Sequence, residues 1–483
     1  MRAVMTTFLL LCGMMGCSKK QGAAPTAPVT PPKQDSTVVI LPTDVAFWLT
    51  KTDQTALFQK QNISLLFSSS SNGNPTIVVD TTQVYQSIDG FGYCLTGGSA
   101  YLINRLPATQ RAALVQELFS TDSTYIGVSY LRVSIGASDL SPSVFSYDDN
   151  ASPSQPDTTL QYFSLADDAF DLVPLLQQIL AVNPSIKILG SPWSAPIWMK
   201  TNDASEGGSL LPQYYDLYAR YLVKYVQSMK AAGIPIDAIT PQNEPLNAYN
   251  NPSMVMQATD EADFVRNHLG PAFRAAGLTT KIIVYDHNCD QPSYPLTILA
   301  DTAAQPYVDG SAFHLYAGDI SALTQVHNAF PSKNVYFTEQ WVGGPGSFPS
   351  DLDWAVNNLI IGAPRNWSRN VLEWNLANDP NYQPHTAGGC STCQGALTIG
   401  STITRNTSYY IIAHASKFVR PGSVRVASNT QGNLLNVAYT RPDGKKVLIV
   451  LNNGAATQPF NIQFNGRIVS PTLDAGAVGT FVW

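Results

Sequence analysis

The sequence predicts an α/β protein, a (β/α)8 TIM barrel with a side β-sandwich domain built from both chain ends. Three observations carry that prediction. Short apolar runs of strand type alternate with longer helical patterns eight times within about 330 residues, the rhythm of a closed parallel barrel. Two of those runs end on a glutamate: Ala238-Ile239-Thr240-Pro241-Gln242-Asn243-Glu244-Pro245 and Asn334-Val335-Tyr336-Phe337-Thr338-Glu339-Gln340-Trp341. The stretches that flank the alternation carry β patterns only.

Composition sets the class. A chain of 483 residues has room for a large barrel with an appendage. Hydrophobic residues make up 44% and charged ones 13%, so an ordinary core lies beneath a surface poor in charge. A net charge of −6 gives no sign of a nucleic-acid binder. Ser, Thr, Asn and Gln stand where charges would, and 22 Tyr and 8 Trp add stacking surfaces. Such a surface suits a secreted protein that meets neutral polymers.

Residues 1–17 read as an export signal. Arg2 precedes an apolar run from Phe8 to Met15 that is too short to span a bilayer as a helix. Met14-Met15-Gly16-Cys17 is similar to a bacterial lipoprotein box, with Cys17 as the lipidated residue, although Met14 stands where leucine is usual. The alternative is ordinary signal cleavage beside a stray cysteine. Residues 18–36, with Pro25, Pro28, Pro31 and Pro32, cannot pack a core and read as a tether. The expectation is a monomer lipid-anchored to a bacterial membrane, in the outer membrane and periplasm or at the cell surface.

Residues 37–85 form the first part of the sandwich, with strands at 38–40, 64–67 and 76–79. The barrel occupies 86–420. Its strand and helix pairs are predicted at 87–95 and 107–119, 128–135 and 166–182, 186–192 and 213–232, and 238–240 and 262–276. The rest follow at 281–285 and 296–304, 311–316 and 320–330, 335–339 and 352–361, and 370–375 and 409–418. Residues 421–483 complete the sandwich: a hairpin of 433–440 and 446–452 about Arg441-Pro442-Asp443-Gly444, then strands at 460–464 and 478–483.

The chemistry is expected at the strand ends, where barrels keep their active sites. Pro241 and Pro245 stop the fourth strand and leave Glu244 at its mouth. Glu339 ends the seventh. Each alone reads equally well as a solvated acid. Together they suit cleavage of a glycosidic bond, which needs one protonated and one ionised carboxyl about 5–5.5 Å apart in a retaining enzyme. Arg132, inside the second strand, must find a partner, since an unpaired buried charge costs about 3–5 kcal/mol. That partner is an ionised glutamate on the functional reading, and another acid such as Asp89 on the structural one. Trp193 ends the third strand and offers a ring face to a sugar, while Trp198 is assigned to loop packing. Trp341 and Trp374 are further candidate walls, and for each tryptophan a core role weighs equally. His314 and Tyr316 share one face of the sixth strand. A tyrosine hydroxyl could hold the nucleophile, and His314 is a candidate substrate-binding residue, although a lone histidine is more often structural. Gly90-Phe91-Gly92 lacks the third glycine of a dinucleotide fingerprint, Leu95 standing in its place. No cofactor and no metal are called for. Cys390 and Cys393 are candidates for a loop disulfide outside the cytosol. A zinc site with His385 is the rival, one ligand short of a closed set, and pairing with Cys94 stays open.

Several motifs now fall into one order: Gly-Phe-Gly, Leu-Arg-Val-Ser-Ile-Gly-Ala-Ser-Asp, Ser-Pro-Trp-Ser-Ala-Pro-x-Trp-Met-Lys, Gln-Asn-Glu-Pro, Phe-His-x-Tyr, Thr-Glu and Trp-Asn-Leu. This set, from about Ile88 to Val424, resembles glycoside hydrolase family 30, which includes glucosylceramidases, β-1,6-glucanases and certain xylanases. The resemblance implies a retaining β-glycoside hydrolase with Glu244, kept protonated by a raised pKa, as acid/base and Glu339 as nucleophile. It implies that Asn243 binds a sugar hydroxyl, that Arg132 and Tyr316 support Glu339, and that Trp193 and Trp374 line the subsite. Gly97 stands where a glucosylceramidase-like Thr-Asp motif would place an acid, which favours a β-1,6-glucanase-like enzyme on a β-glucan or β-glucoside. The alternatives are a glucosylceramidase and a non-catalytic surface glycan-binding protein.

Overall fold

The computed structural model describes residues 41–149, 151–152 and 154–483. The expected signal with Cys17, the tether at 18–36 and the strand at 38–40 lie outside the described residues. No helix among the described residues is long and apolar enough to cross a membrane.

Eight parallel strands close a barrel in chain order. Strands 1 to 4 are Gly90–Cys94, Tyr130–Ser134, Lys187–Ser191 and Ala238–Ile239. Strands 5 to 8 are Lys281–Cys289, Val308–Gly318, Asn334–Glu339 and Ser368–Asn375. All eight predicted units are present. Strand 1 follows the predicted glycine run, and Gly92 is there because a Cβ would strike the Tyr130 carbonyl of strand 2. Two predicted helices are interrupted: Ala258–Phe264 passes through a wide turn at Val265–Leu269 into Gly270–Ala275, and Phe348–Ala355 runs into another at Val356–Gly362. A short helix that sequence patterning missed, Gly97–Asn104, follows strand 1. Thr96 caps it by accepting from the Ser99 N–H.

The sandwich draws on both ends of the described chain. A nine-stranded sheet runs Gln59–Gln61, Ala46–Thr50, Val478–Val482, Lys446–Asn452, Leu434–Thr440, Val424–Ser428, Thr76–Ser87, Asn461–Phe464 and Arg467–Val469. The predicted hairpin pairs in register from Leu434 with Asn452 to Thr440 with Lys446, and Gly444 supplies the positive φ its turn needs. The predicted strand at 64–67 is not one. The Leu65 carbonyl accepts from the N–H groups of Asp44 and Val45, and the segment joins no ladder. Four strands of this sheet were missed, Ala46–Thr50, Gln59–Gln61, Val424–Ser428 and Arg467–Val469, and the first pairs along its length with Val478–Val482.

Barrel and sandwich meet at the helix Thr407–Ser416. His414, fully buried on it, sets Nδ1 2.8 Å from Thr480 Oγ1 and Nε2 2.8 Å from Thr50 Oγ1. One histidine thereby joins the last barrel helix to two sandwich strands from opposite ends of the chain. Burial pushes its pKa down to about 3, well under the ordinary histidine value. The unfolded chain therefore takes up a proton below about pH 6.5 that the folded one refuses, so stability falls as pH drops from there towards 3. The loss from this group should approach, and not exceed, about 1.4 kcal/mol per pH unit. His414→Gln can replace the contacts without titrating. Its melting temperature should fall less between pH 6 and pH 4 than that of the native protein, and parallel curves would refute the assignment.

Candidate active site

The site follows from a step of two along the strands. Tyr130, Leu189, Ala238, Ile283, Ala312, Tyr336 and Leu372 form one buried apolar cluster, a plug across the barrel from strands 2 to 8. Two residues further on, side chains return to the same face. Those positions are Arg132, Ser191, Thr240, His314, Thr338 and Trp374, all buried. A polar layer thus sits directly on an apolar one, at the C-terminal mouth.

Strand 5 breaks the step. Two residues after Ile283 comes Tyr285, yet Asp286 takes the inward place. Tyr285 and Asp286 both have positive φ, at 79° and 56°, and the register with strand 6 shifts there. Strand 7 has a second shift before Glu339, so Thr338 and Glu339 both reach the centre. Glu244 is held at φ 44°, its N–H donating 3.0 Å to the Asp286 carbonyl. Three of the eleven described non-glycine residues with positive φ thus lie where the polar groups converge.

Arg132 lies at the hub. It donates to Glu339 Oε2 at 2.5 Å, Asp286 Oδ2 at 2.8 Å, Asn243 Oδ1 at 2.5 Å and Ser191 Oγ at 3.2 Å. Its expected partnership with Glu339 is present. The rival Asp89 is bound elsewhere, to Arg369 at 2.9 Å and Lys187 at 3.3 Å. Asp286 also accepts from Thr240 at 2.8 Å, Thr338 at 2.6 Å, Ser191 at 2.5 Å and His314 Nε2 at 3.1 Å. Burial opposes its charge, but the Arg132 guanidinium and then His314 hold its carboxyl well below the usual range.

The two glutamates meet. One oxygen of each, with a nitrogen of His314, lies within 4.8 Å of the others. Glu339 Oε1 accepts from the Tyr316 hydroxyl at 2.9 Å, as expected. Tyr316 is 38% exposed along its ring, while its hydroxyl is held in the site. His314 departs from the expectation that it touches substrate: it is fully buried, with Nδ1 3.1 Å from Glu244 Oε1 and 3.8 Å from Glu339 Oε1. It lies between the carboxylates because strand 6 alternation carries it above Ala312. That spacing would admit an ion geometrically, but Glu339 already accepts from Arg132 and Tyr316, and Nε2 faces Asp286. The arrangement is a proton site. Burial pushes the imidazole down, but the Glu339 charge and the Asp286 and Glu244 hydrogen bonds outweigh it and raise it to about 9. For Glu244, burial is outweighed by the His314 hydrogen bond and charge, so its carboxyl falls to about 2. The sequence expectation of a raised Glu244 pKa is not met, because the neighbouring imidazole favours the ionised carboxyl. Glu339 is raised by burial against the opposing charges of His314 and Arg132.

The cavity above has a volume of about 430 Å³ and is lined by Trp193, Trp341, Trp374, Glu244, Glu339 and Tyr316 among others. Trp193 and Trp374 stack on each other at 5.3 Å, and the Arg132 guanidinium lies 4.7 Å from the Trp193 ring. Trp193 is only 1% exposed, so it floors the cavity and has no open face to offer. Trp341 is half-buried and forms a side wall. Asn243 turns its oxygen to Arg132, which aims the amide nitrogen away from the guanidinium. Cys390 and Cys393 are joined in a disulfide at the rim, which leaves no zinc pair for His385, and Cys94 is a free buried thiol. Trp198 packs in its loop, donating to the Asp148 carbonyl at 2.9 Å.

Three contributors were not found from sequence. Asp139, from the loop after strand 2, puts a buried carboxyl into the cavity, raised to about 7 by burial and by the Glu339 charge. It ends the stretch Leu-Arg-Val-Ser-Ile-Gly-Ala-Ser-Asp, in which nothing marks the acid. Asp286 was hidden by the broken step. Asn247 donates to Glu244 Oε2 at 2.8 Å from just beyond Pro245. Gly97 itself does not line the cavity, and a side chain there would meet Ser141.

Comparison with known proteins follows the same division of the chain. Residues 88–419 match the glycosyl hydrolase family 30 TIM-barrel domain and residues 422–481 match its β-sandwich domain. An endo-1,6-β-D-glucanase of Neurospora crassa is 38% identical over 404 residues, covering 79% of this chain and 82% of that protein. The lysosomal acid glucosylceramidase of Mus musculus is 28% identical over 435 residues, covering 83% and 81%. A solved endo-β1,6-glucanase structure superposes with a TM-score of 0.86 at 36% identity, covering 92% of this chain and 99% of that one.

Arg132→Gln would leave Asp286 and Glu339 buried without their cation. It should lower the unfolding free energy by about 3–5 kcal/mol, measured by urea titration. A loss near zero would show that the guanidinium is not the hub.

Proposed function

Because the chain belongs to glycosyl hydrolase family 30, we propose that it cleaves β-1,6-linked glucan by double displacement, with Glu339 as nucleophile and Glu244 as acid/base. The chain is a glycoside hydrolase. The observation that carries the assignment of roles is the approach of the two carboxyl groups over one cavity, with oxygens within 4.8 Å. That is the scale of a retaining pair and leaves no room for the intervening water of an inverting one.

Glu339, held by Arg132 and Tyr316, attacks the anomeric carbon. Glu244 gives a proton to the departing oxygen. Water then enters, Glu244 takes its proton, and the ester to Glu339 is released. Trp193 and Trp374 floor the site, Trp341 walls it, and the Asn243 amide nitrogen, turned away from Arg132, donates to a sugar hydroxyl.

The substrate class rests on the names of the relatives and on the rim. The side of the cavity beyond Glu244 is lined by Leu246, Asn247, Tyr249, Asn250, His287 and Asn288. Amides and an imidazole suit a hydroxyl-rich leaving sugar, and Tyr249, 88% exposed, offers it a ring face. A ceramide would want an apolar rim. Export and lipid anchoring at Cys17 belong to the same proposal, and the disulfide at Cys390 and Cys393 fits an oxidising compartment.

Incubation with β-1,6-glucan, xylan and glucosylceramide should release oligosaccharides, read by mass, from β-1,6-glucan alone. Glu339→Ala should abolish turnover. Glu244→Gln should cost on the order of 10²–10⁴-fold on glucan and far less on an aryl glucoside with an activated leaving group. Equal losses on both substrates would remove Glu244 from the acid role.

A further inference from the structure

Both ring nitrogens of His314 face carboxylates, Nδ1 at 3.1 Å from Glu244 and Nε2 at 3.1 Å from Asp286. A neutral imidazole has one N–H and one lone pair, so it can donate to only one of them. Asp286 is already surrounded by donors from Arg132, Ser191, Thr240 and Thr338, and it is ionised. The Nε2 proton must therefore point to Asp286. The short contact between Nδ1 and Glu244 then needs a further proton, on one atom or the other, since two lone pairs would repel.

We propose that His314 is a positioning residue that stores the catalytic proton in its Nδ1 to Glu244 hydrogen bond and releases it as Glu339 gives up its charge. The proposal rests on Glu339 as nucleophile and Glu244 as acid/base. The groups that face the ring are Glu244 beyond strand 4, Asp286 and His287 on strand 5, Tyr316 on its own strand, and Glu339 on strand 7. Arg132 reaches it through Asp286 and Glu339.

The sequence of charges is balanced. At rest the imidazolium sits between two carboxylates, and Glu339 lies 3.8 Å from the same Nδ1. When a Glu339 oxygen bonds to the anomeric carbon, the bond from that carbon to the glycosidic oxygen breaks. The Nδ1 proton passes to Glu244 and from there to the departing oxygen. The negative charge that stabilised the imidazolium has gone into the ester, so the proton leaves when the leaving group needs it. His314 is then neutral, with its Nδ1 lone pair against an ionised Glu244, an unfavourable pairing that makes Glu244 a stronger base. In the second half water loses a proton to Glu244, its oxygen bonds to the anomeric carbon, and the ester breaks. The proton returns to Nδ1 as Glu339 regains its charge.

The test is the pH dependence of kcat/KM, which reports the free enzyme. In the native protein the alkaline limb should lie near the raised value of His314, about 9. His314→Gln can donate to Glu244 but cannot store a proton, so Glu244 must hold it alone. The limb should move about one pH unit or more towards acid. Turnover of glucan should fall about 100-fold or more while KM stays nearly constant, and activated aryl glucosides should suffer far less. An unmoved limb with equal losses on both substrates would indicate a merely structural histidine and overturn the proposal. A direct reading on the native protein covers failure of the variant to fold. Nitrogen NMR of labelled histidine should show His314 protonated on both nitrogens at pH 7, and neutral once a fluorinated glucoside has esterified Glu339. A neutral His314 in the free enzyme would overturn the proposal while leaving the double displacement intact. Absence of any ester on Glu339, checked by mass, would overturn the double displacement itself and the proposal with it.

Discussion

A guanidinium sealed inside a barrel decides the rest of this site. Arg132 has no exposed surface, and an isolated charge there would be costly, so the fold must bring acceptors to it. It does so from four strands: Ser191 from strand 3, Asn243 from the end of strand 4, Asp286 from strand 5 and Glu339 from strand 7. Strands 5 and 7 can deliver theirs only by slipping out of register. The positive φ values of Tyr285 and Asp286 and the bulge before Glu339 are local costs that the buried cation offsets. The same contacts fix Glu339 in orientation and keep a charge beside it, so structural necessity and nucleophile placement are one arrangement.

What was legible in the sequence follows from that arrangement. Strand and helix periodicity survives wherever the chain alternates regularly, so all eight barrel units and the hairpin could be read. The polar layer was legible on strands 2, 4, 6 and 7, where Arg132, Glu244, His314, Tyr316 and Glu339 fall at or near strand ends. Asp286 was not, because counting by two from Ile283 lands on Tyr285, and no sequence signal announces a two-residue left-handed kink. Gly97 was legible as a missing acid; that its backbone opens a helix packed on Ser141 was not. The tryptophans were found in the right region, but burial of Trp193 against Trp374 and Arg132 could come only from packing.

His314 and His414 show how one residue type acquires opposite behaviour by its neighbours. Both are fully buried, and burial disfavours the charge on each. His414 meets only hydroxyls, so nothing compensates and it stays neutral down to about pH 3. His314 meets three carboxylates, which outweigh the same penalty. One therefore pins two parts of the fold together, and the other holds a proton at the point of reaction.

The segment after strand 4 holds the acid from the rim of the cavity. Asn247 donates to Glu244 Oε2 at 2.8 Å, and the oxygen of the same amide accepts from the Tyr249 N–H at 3.0 Å. The acid is thus tied, through one amide, to the backbone of the rim residue that offers its ring to the leaving sugar. The Tyr249 ring, 88% exposed, turns about its own Cα–Cβ bond without disturbing that N–H, so the rim can adapt to the sugar while Oε2 stays held.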